Sequence, residues 1–226
     1  MLDDVQREEM MRRLAVHLPG RDKRPDGPKG GRDPFRSVVS CILSAQSLDR
    51  NTAAASRALF ALADTPEGIL ALTDEVIVAA IRPAGLYNNK ARSLRRMCRA
   101  LLDDHGGVVP RTREGLMSLP GVGRKCADIV LHFTFDEAVV AVDTHVHRVC
   151  NRTGLAAGRT EAQTAKSLDA RIPDAFRWDG HVLILNFGKR VCRSRAPKCG
   201  DCYLADMCEA LRDGRVPASP QAVIDP

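Results

Sequence analysis

The sequence predicts an all-α fold of two packing units, and three observations carry this. Apolar residues recur at helical spacing, as at Leu2, Val5, Met10, Leu14 and Leu18. Strand signals are nearly missing, since the β-branched run Val139 to Val142 is too short to found a sheet and leads straight into a helix cap. Between Pro19 and Pro34, eight of sixteen residues are Pro or Gly, mixed with Arg21, Lys23, Arg24, Lys29 and Arg32, which marks a basic loop between two units.

Taken in order, the helical signals begin with residues 2 to 18, stopped by Pro19-Gly20. Pro34 opens the next helix, to Ser44, and Asp49 is expected to cap another running to Leu62. Thr65-Pro66-Glu67 opens a further helix and Asp74 to Ile81 another. The segment Lys90 to Asp104 places Ala91, Leu94, Met97, Cys98, Leu101 and Leu102 on one face, and Gly106-Gly107 ends it. Thr112 to Leu119 follows, then a turn, then an apolar-patterned helix through Phe133. Asp143-Thr144 caps a helix through Asn151, Thr160 to Gln163 has the spacing of a capping box, and Asp179 to Arg190 is the last long helix. Pro217 to Pro220 suggest a frayed tail. The expected division is a middle domain over 27–137, a second domain from 1–26 with 138–212, and a tail over 213–226.

Composition narrows the classes. Among 226 residues, 44% are hydrophobic and 27% charged, too apolar for wholesale disorder. No apolar run approaches the roughly 20 residues of a membrane helix, so no membrane is expected. The start, Met1-Leu2-Asp3-Asp4, has no basic segment followed by an apolar one, which makes the cytoplasm the expected compartment. A net charge of +6 favours a polyanion such as nucleic acid, although a solvated basic face explains it equally well.

Eight cysteines in a reducing compartment point to thiols or metal rather than disulfides. Cys41, Cys98, Cys126 and Cys150 are scattered in helical patterns and read as small buried hydrophobes. Cys192, Cys199, Cys202 and Cys208 instead form C-x6-C-x2-C-x5-C, four thiols within 17 residues. Zinc is the first alternative, but structural zinc sites usually pair two close couples across a longer spacer, and one x2 pair with two long arms suits wrapping a cube-shaped 4Fe-4S cluster better. Arg193, Arg195 and Lys198 in the first arm can meet phosphates or balance an anionic cluster. A second constellation is Leu119-Pro120-Gly121-Val122-Gly123-Arg124-Lys125. Two glycines bracketing one apolar residue, just before a helix, allow φ > 0 and let backbone N–H groups approach a phosphate at the helix N-terminus. An ordinary turn with a glycine C-cap has the same look.

The separated motifs occur together in one order: LSAQSLDRN at 43–51, GLYNNKA at 85–91, LPGVGRK, the Asp of VDTHVHRV eighteen residues after Lys125, and the four cysteines. In this the chain resembles the endonuclease III family of helix-hairpin-helix base-excision DNA glycosylases, over almost its whole length. The resemblance implies a six-helix barrel domain, a second domain holding a 4Fe-4S cluster on the four cysteines, and an active site in the cleft between them. It implies duplex DNA with damaged pyrimidines or abasic sites as partner, and we expect a monomer.

Carried over by residue, Lys125 matches the catalytic lysine, an amine able to attack C1′, and Asp143 the catalytic aspartate, a helix-capping carboxylate able to stabilise positive charge on the sugar. Gln46 and Leu86 match the residues that fill the gap left by an extruded nucleotide. Gly121, Gly123, Arg124, His145, Arg193 and Lys198 are further expected DNA contacts. Phe187 departs from the family, which commonly has His before Gly188; so do His147 and the approach Arg82-Pro83-Ala84. The expected activity is that of a bifunctional glycosylase/AP lyase on oxidised pyrimidines. Two other readings remain at this point: a monofunctional mismatch glycosylase for adenine or thymine, and a non-catalytic cluster-bearing sensor.

Overall fold

The structure is a computed structural model that describes residues 1–20 and 33–216. The basic loop between Gly20 and Asp33, the expected boundary at 26/27 and the tail from Pro217 lie outside the described residues. Every regular element among the described residues is helical, so the fold is all-α. No helix among them is long and apolar enough to cross a membrane. The chain divides into two compact units, Arg24–Glu137 and Met1–Lys23 together with Ala138–Pro226.

The first helix, α1 (Asp4–His17), opens on a reciprocal capping box between Asp3 and Gln6 that the apolar spacing did not reveal. The unit Arg24–Glu137 then holds α2 (Pro34–Ser44), α3 (Asp49–Phe60), α4 (Pro66–Ala71), α5 (Asp74–Ile81), α6 (Tyr87–His105), α7 (Arg113–Ser118) and α8 (Arg124–Thr134). Short side chains start most of them. The Asp33 carboxylate accepts from the Arg36 N–H, and Thr65, Thr73 and Thr112 accept from Gly68, Val76 and Gly115 in the same way. Asp49 is not the cap of α3. Leu48 takes that place without a side-chain bond, and Asp49 is the first helical residue, where its charge faces the positive end of the helix dipole.

Gly106 ends α6 in the left-handed conformation at φ 58°, and the Gly107 N–H donates to Leu101 O at 2.9 Å. The start of α6 falls at Tyr87 rather than Lys90, because Tyr87, Asn88 and Asn89 extend the helix outside its apolar stripe. Within this unit α2 packs on α3, α6 and α8, and α6 packs on α4 and α5. Val39, Leu43, Leu59, Ile77, Leu94, Met97 and Leu101 are buried with no exposed area, and burying each contributes about 1.5–3 kcal/mol.

The other unit joins α1 to α9 (Thr144–Thr153), α10 (Glu161–Asp169), α11 (Gly180–Arg190) and the single turn α12 (Glu209–Arg212). Its core draws Met10, Met11 and Leu14 from α1, Val146 and Val149 from α9, Leu168 from α10, and Leu183, Ile184 and Phe187 from α11. Val140 and Val142 enter this core as extended chain without pairing into a strand. The box at Thr160 is only half made: Thr160 caps Gln163, but the Gln163 side chain takes the Arg159 N–H instead of the cap's own. Amides of Arg215 and Val216 bond back to Ala210 O, so the chain stays tied to α12 as far as Val216.

Candidate functional site

In the unit Arg24–Glu137, α7 and α8 form the hairpin. Gly121 sits at φ 86°, a conformation that favours glycine, and a Cβ there would crowd Cβ of Ser93 on α6 at 3.1 Å. Gly123 differs: its φ is an ordinary −88°, and a Cβ there would meet nothing. It stands at the N-cap of the eleven-residue α8 with no side-chain cap hydrogen bond. Lys125 is the second residue of this helix and is exposed. Arg124 is held inward, its Nε 3.4 Å from Oδ2 of Asp128, whose Oδ1 accepts from Arg113 Nε on α7 at 2.6 Å. Asp128 is fully buried, so this charge triad ties the two arms of the hairpin together. The motif reading missed Arg113 and Asp128; an Asp among Ala127, Ile129, Val130 and Leu131, four residues after an Arg, was the available signal.

Gln46 and Leu86 are both exposed, and both are non-glycine residues in the left-handed region, at φ 51° and 49°. Leu86 is 52% exposed, so its side chain is not part of the core. Tyr87, behind it, has the Arg82 guanidinium 5.9 Å from its ring centre.

Cys41 on α2 and Cys126 on α8 are not isolated hydrophobes. The Cys126 thiol, with the Lys125 charge and Ser44, holds Cys41 below the usual thiol range, while the Cys41 thiol and burial push Cys126 up. Burial pushes Cys98 and Cys150 each up to about 12. Iodoacetamide at neutral pH is therefore expected to alkylate Cys41 ahead of Cys98 and Cys150 in the folded protein, as read by peptide mass mapping. Equal labelling of the three would contradict this ordering.

In the other unit, Asp143 caps α9: its Oδ1 accepts from the N–H groups of His145 and Val146 at 2.9 and 2.8 Å. Among the described residues no hydrogen bond is made to Oδ2. The ring of His145 pairs with α9 itself, its Nδ1 standing 3.2 Å from the Arg148 guanidinium. His147 pairs with Thr164 on α10 at 2.8 Å, so this departure from the family pattern serves helix packing.

Cys192, Cys199, Cys202 and Cys208 line one recess, together with Arg152, Phe187, Val191, Lys198 and Leu204. Burial, followed by the other three thiols, pushes Cys202 up to about 11. Among the described residues no three His, Cys, Asp or Glu side chains close up on one metal ion. Phe187, buried beside Tyr203 at 5.4 Å between ring centres, makes an apolar wall. The loop from Cys192 is fastened to α9 through its carbonyls: Arg148 donates to Cys192 O at 3.0 Å, and Arg152 to Arg193 O at 2.6 Å and Ser194 O at 3.2 Å. Arg152 also reaches the Cys192 sulfur at 3.7 Å. Arg148 and Arg152 escaped the sequence reading because arginines on a helix look like solvated charge. Arg193 and Lys198 stand exposed.

This arrangement, a glycine-turned helix hairpin with a lysine at its second arm and a capped Asp eighteen residues on, matches a described family: residues 39–174 fit the HhH-GPD superfamily base excision DNA repair proteins. Endonuclease III of Haemophilus influenzae is 38% identical over 208 residues, covering 92% of this chain and 97% of that protein, and endonuclease III of Escherichia coli K12 matches to the same extent. A solved non-covalent endonuclease III–DNA complex superposes with a TM-score of 0.83 at 33% identity, covering 95% of this chain and 99% of that one. A trapped endonuclease III–DNA covalent intermediate gives 0.82 at 33% identity, over 96% and 100% of the two chains. The chain belongs to the HhH-GPD superfamily of base excision DNA repair proteins and, within it, to the endonuclease III family.

Proposed function

We propose that the chain is a bifunctional DNA glycosylase/AP lyase that excises oxidised pyrimidines from duplex DNA, with Lys125 as nucleophile. The observation that carries this is an exposed lysine in the first turn of α8, at the helix end whose dipole favours a phosphate, in a chain of this family. The Lys125 amine attacks C1′ as the damaged base leaves. The resulting Schiff base acidifies C2′, and loss of that proton expels the 3′ phosphate. Asp143, its Oδ1 held by backbone N–H groups, stabilises the cationic sugar. Gly121 and Gly123 bring backbone to the DNA phosphates, and Arg193 and Lys198 add cations. Gln46 and Leu86, displayed on strained backbone, fill the place of the extruded nucleotide. Duplexes that each carry one oxidised pyrimidine or abasic site, treated with borohydride, test the reading: a covalent protein–DNA adduct supports it, and base release without an adduct favours the monofunctional mismatch glycosylase.

The four cysteines are the ligands of a 4Fe-4S cluster in this reading. A cluster presents one iron to each thiolate and so needs its sulfurs around a space, whereas four thiolates on one zinc, at bonds of about 2.3 Å, converge on a point. That all four cysteines line one recess supports the cluster reading. When bound, the cluster supplies a cross-link for a segment whose regular structure is one turn of α-helix and one of 3-10 helix. Anaerobically purified protein is expected to be brown with about four irons per chain, and Cys199→Ser to lower the melting temperature as well as the iron content. Stoichiometric zinc without iron would overturn the assignment.

A further inference from the structure

Lys90 is only 5% exposed, and its Nζ donates to two main-chain carbonyls, Leu43 O at 2.8 Å and Ala84 O at 2.9 Å. Neither acceptor is satisfied by a regular element. Leu43 lies in the last turn of α2, whose carbonyls have no partner within the helix, and Ala84 closes the 3-10 turn Arg82–Ala84. Both residues are themselves buried, so water does not compete for these oxygens. Three residues beyond Leu43 stands Gln46, and two beyond Ala84 stands Leu86. Each is a non-glycine residue held at left-handed φ, a conformation that persists only when its surroundings over-determine it. One amine thus joins the roots of both strained loops.

We propose that Lys90 is a positioning residue that clamps the end of α2 to the Arg82–Ala84 turn and so fixes Gln46 and Leu86 as a matched pair for one gap in duplex DNA. The clamp rests on the gap-filling reading of those two side chains. Burial holds the Lys90 amine below the ordinary lysine range, yet the clamp works in either protonation state, because an amine and an ammonium both own the two N–H donors that two carbonyls require. A shorter or apolar side chain leaves buried carbonyls unpaired, and the two roots are then free to drift apart.

The test compares kcat/KM for one lesion in duplex and in single-stranded DNA, for wild type, Leu86→Ala, Gln46→Ala, Lys90→Met and the double variant Leu86→Ala/Lys90→Met. Lys90→Met is one atom shorter than Lys, still fills the path of its stem, and removes its donors. It is expected to lower the duplex to single-strand ratio by about tenfold, and to add little to the loss in Leu86→Ala, because it acts through that residue. A merely structural loss lowers both substrates alike and leaves the ratio alone. Should Lys90→Met fail to fold, Lys90→Gln, whose shorter stem reaches one carbonyl at most, is expected to lower the same ratio by a smaller factor. An unchanged ratio in the folded Lys90 variant, or full additivity with Leu86→Ala, overturns the clamp. An unchanged ratio in Leu86→Ala and Gln46→Ala themselves overturns the gap-filling reading and the clamp with it.

Discussion

Lys125→Gln is expected to abolish the borohydride-trapped adduct and to cut strand cleavage at the lesion by roughly a thousandfold or more, while binding of the lesion duplex survives. Gln has nearly the length of Lys but no nucleophilic nitrogen, so no imine forms and C2′ is never acidified. The substitution is mild for the fold, because Lys125 is exposed and no hydrogen bond of its side chain secures α8. Gel analysis after borohydride reads the adduct, and alkali treatment separately reads base release. Release at the wild-type rate in this variant would mean that water, activated by Asp143, is the nucleophile, and the bifunctional reading would fall.

Asp143→Asn is expected to fail differently. The amide oxygen can still accept from the His145 and Val146 N–H groups, so the start of α9 is kept. What goes is the negative charge, which acts only once the sugar turns cationic. Base release should therefore drop by roughly a hundredfold or more, about 2.7 kcal/mol of transition-state stabilisation, with affinity nearly unchanged. Single-turnover kinetics paired with a binding titration measure both. A drop in affinity and melting temperature with unchanged chemistry would reduce Asp143 to a helix cap.

The helices were legible in the sequence where a short polar side chain announces their start, as at Thr65, Thr73, Thr112 and Asp143, and where glycine announces their end, as at Gly106. The starts that slipped, at Leu48 and Leu86, are those with no side-chain cap at all. The hairpin glycines, the spacing of Lys125 and Asp143, and the four cysteines stood in the chain as local patterns. The contacts that hold them did not. Asp128 between Arg113 and Arg124, Arg148 and Arg152 on the carbonyls of the cysteine loop, and Lys90 between Leu43 and Ala84 all join residues through tertiary packing, and most end on backbone oxygens. A backbone oxygen carries no residue identity, so no pattern of letters marks it as an acceptor. Nor does the sequence show that Gly123 uses ordinary φ while Gln46 and Leu86 use the left-handed region.

The split composition of the unit that holds α1 bears on how the protein is made. Met10, Met11 and Leu14 find their core partners on α9 to α11, and Arg13 donates to Tyr203 O at a separation of 190 residues. At about 5–20 residues per second, the ribosome leaves α1 waiting on the order of ten seconds or more for that surface. Meanwhile Arg24–Glu137, continuous in the chain, has all its own helices at hand and can fold first. The nascent protein thus carries an apolar stripe with no place to go until its last quarter emerges. Closing so long a loop is slow, and this interval is when the chain is most open to chaperones and to aggregation.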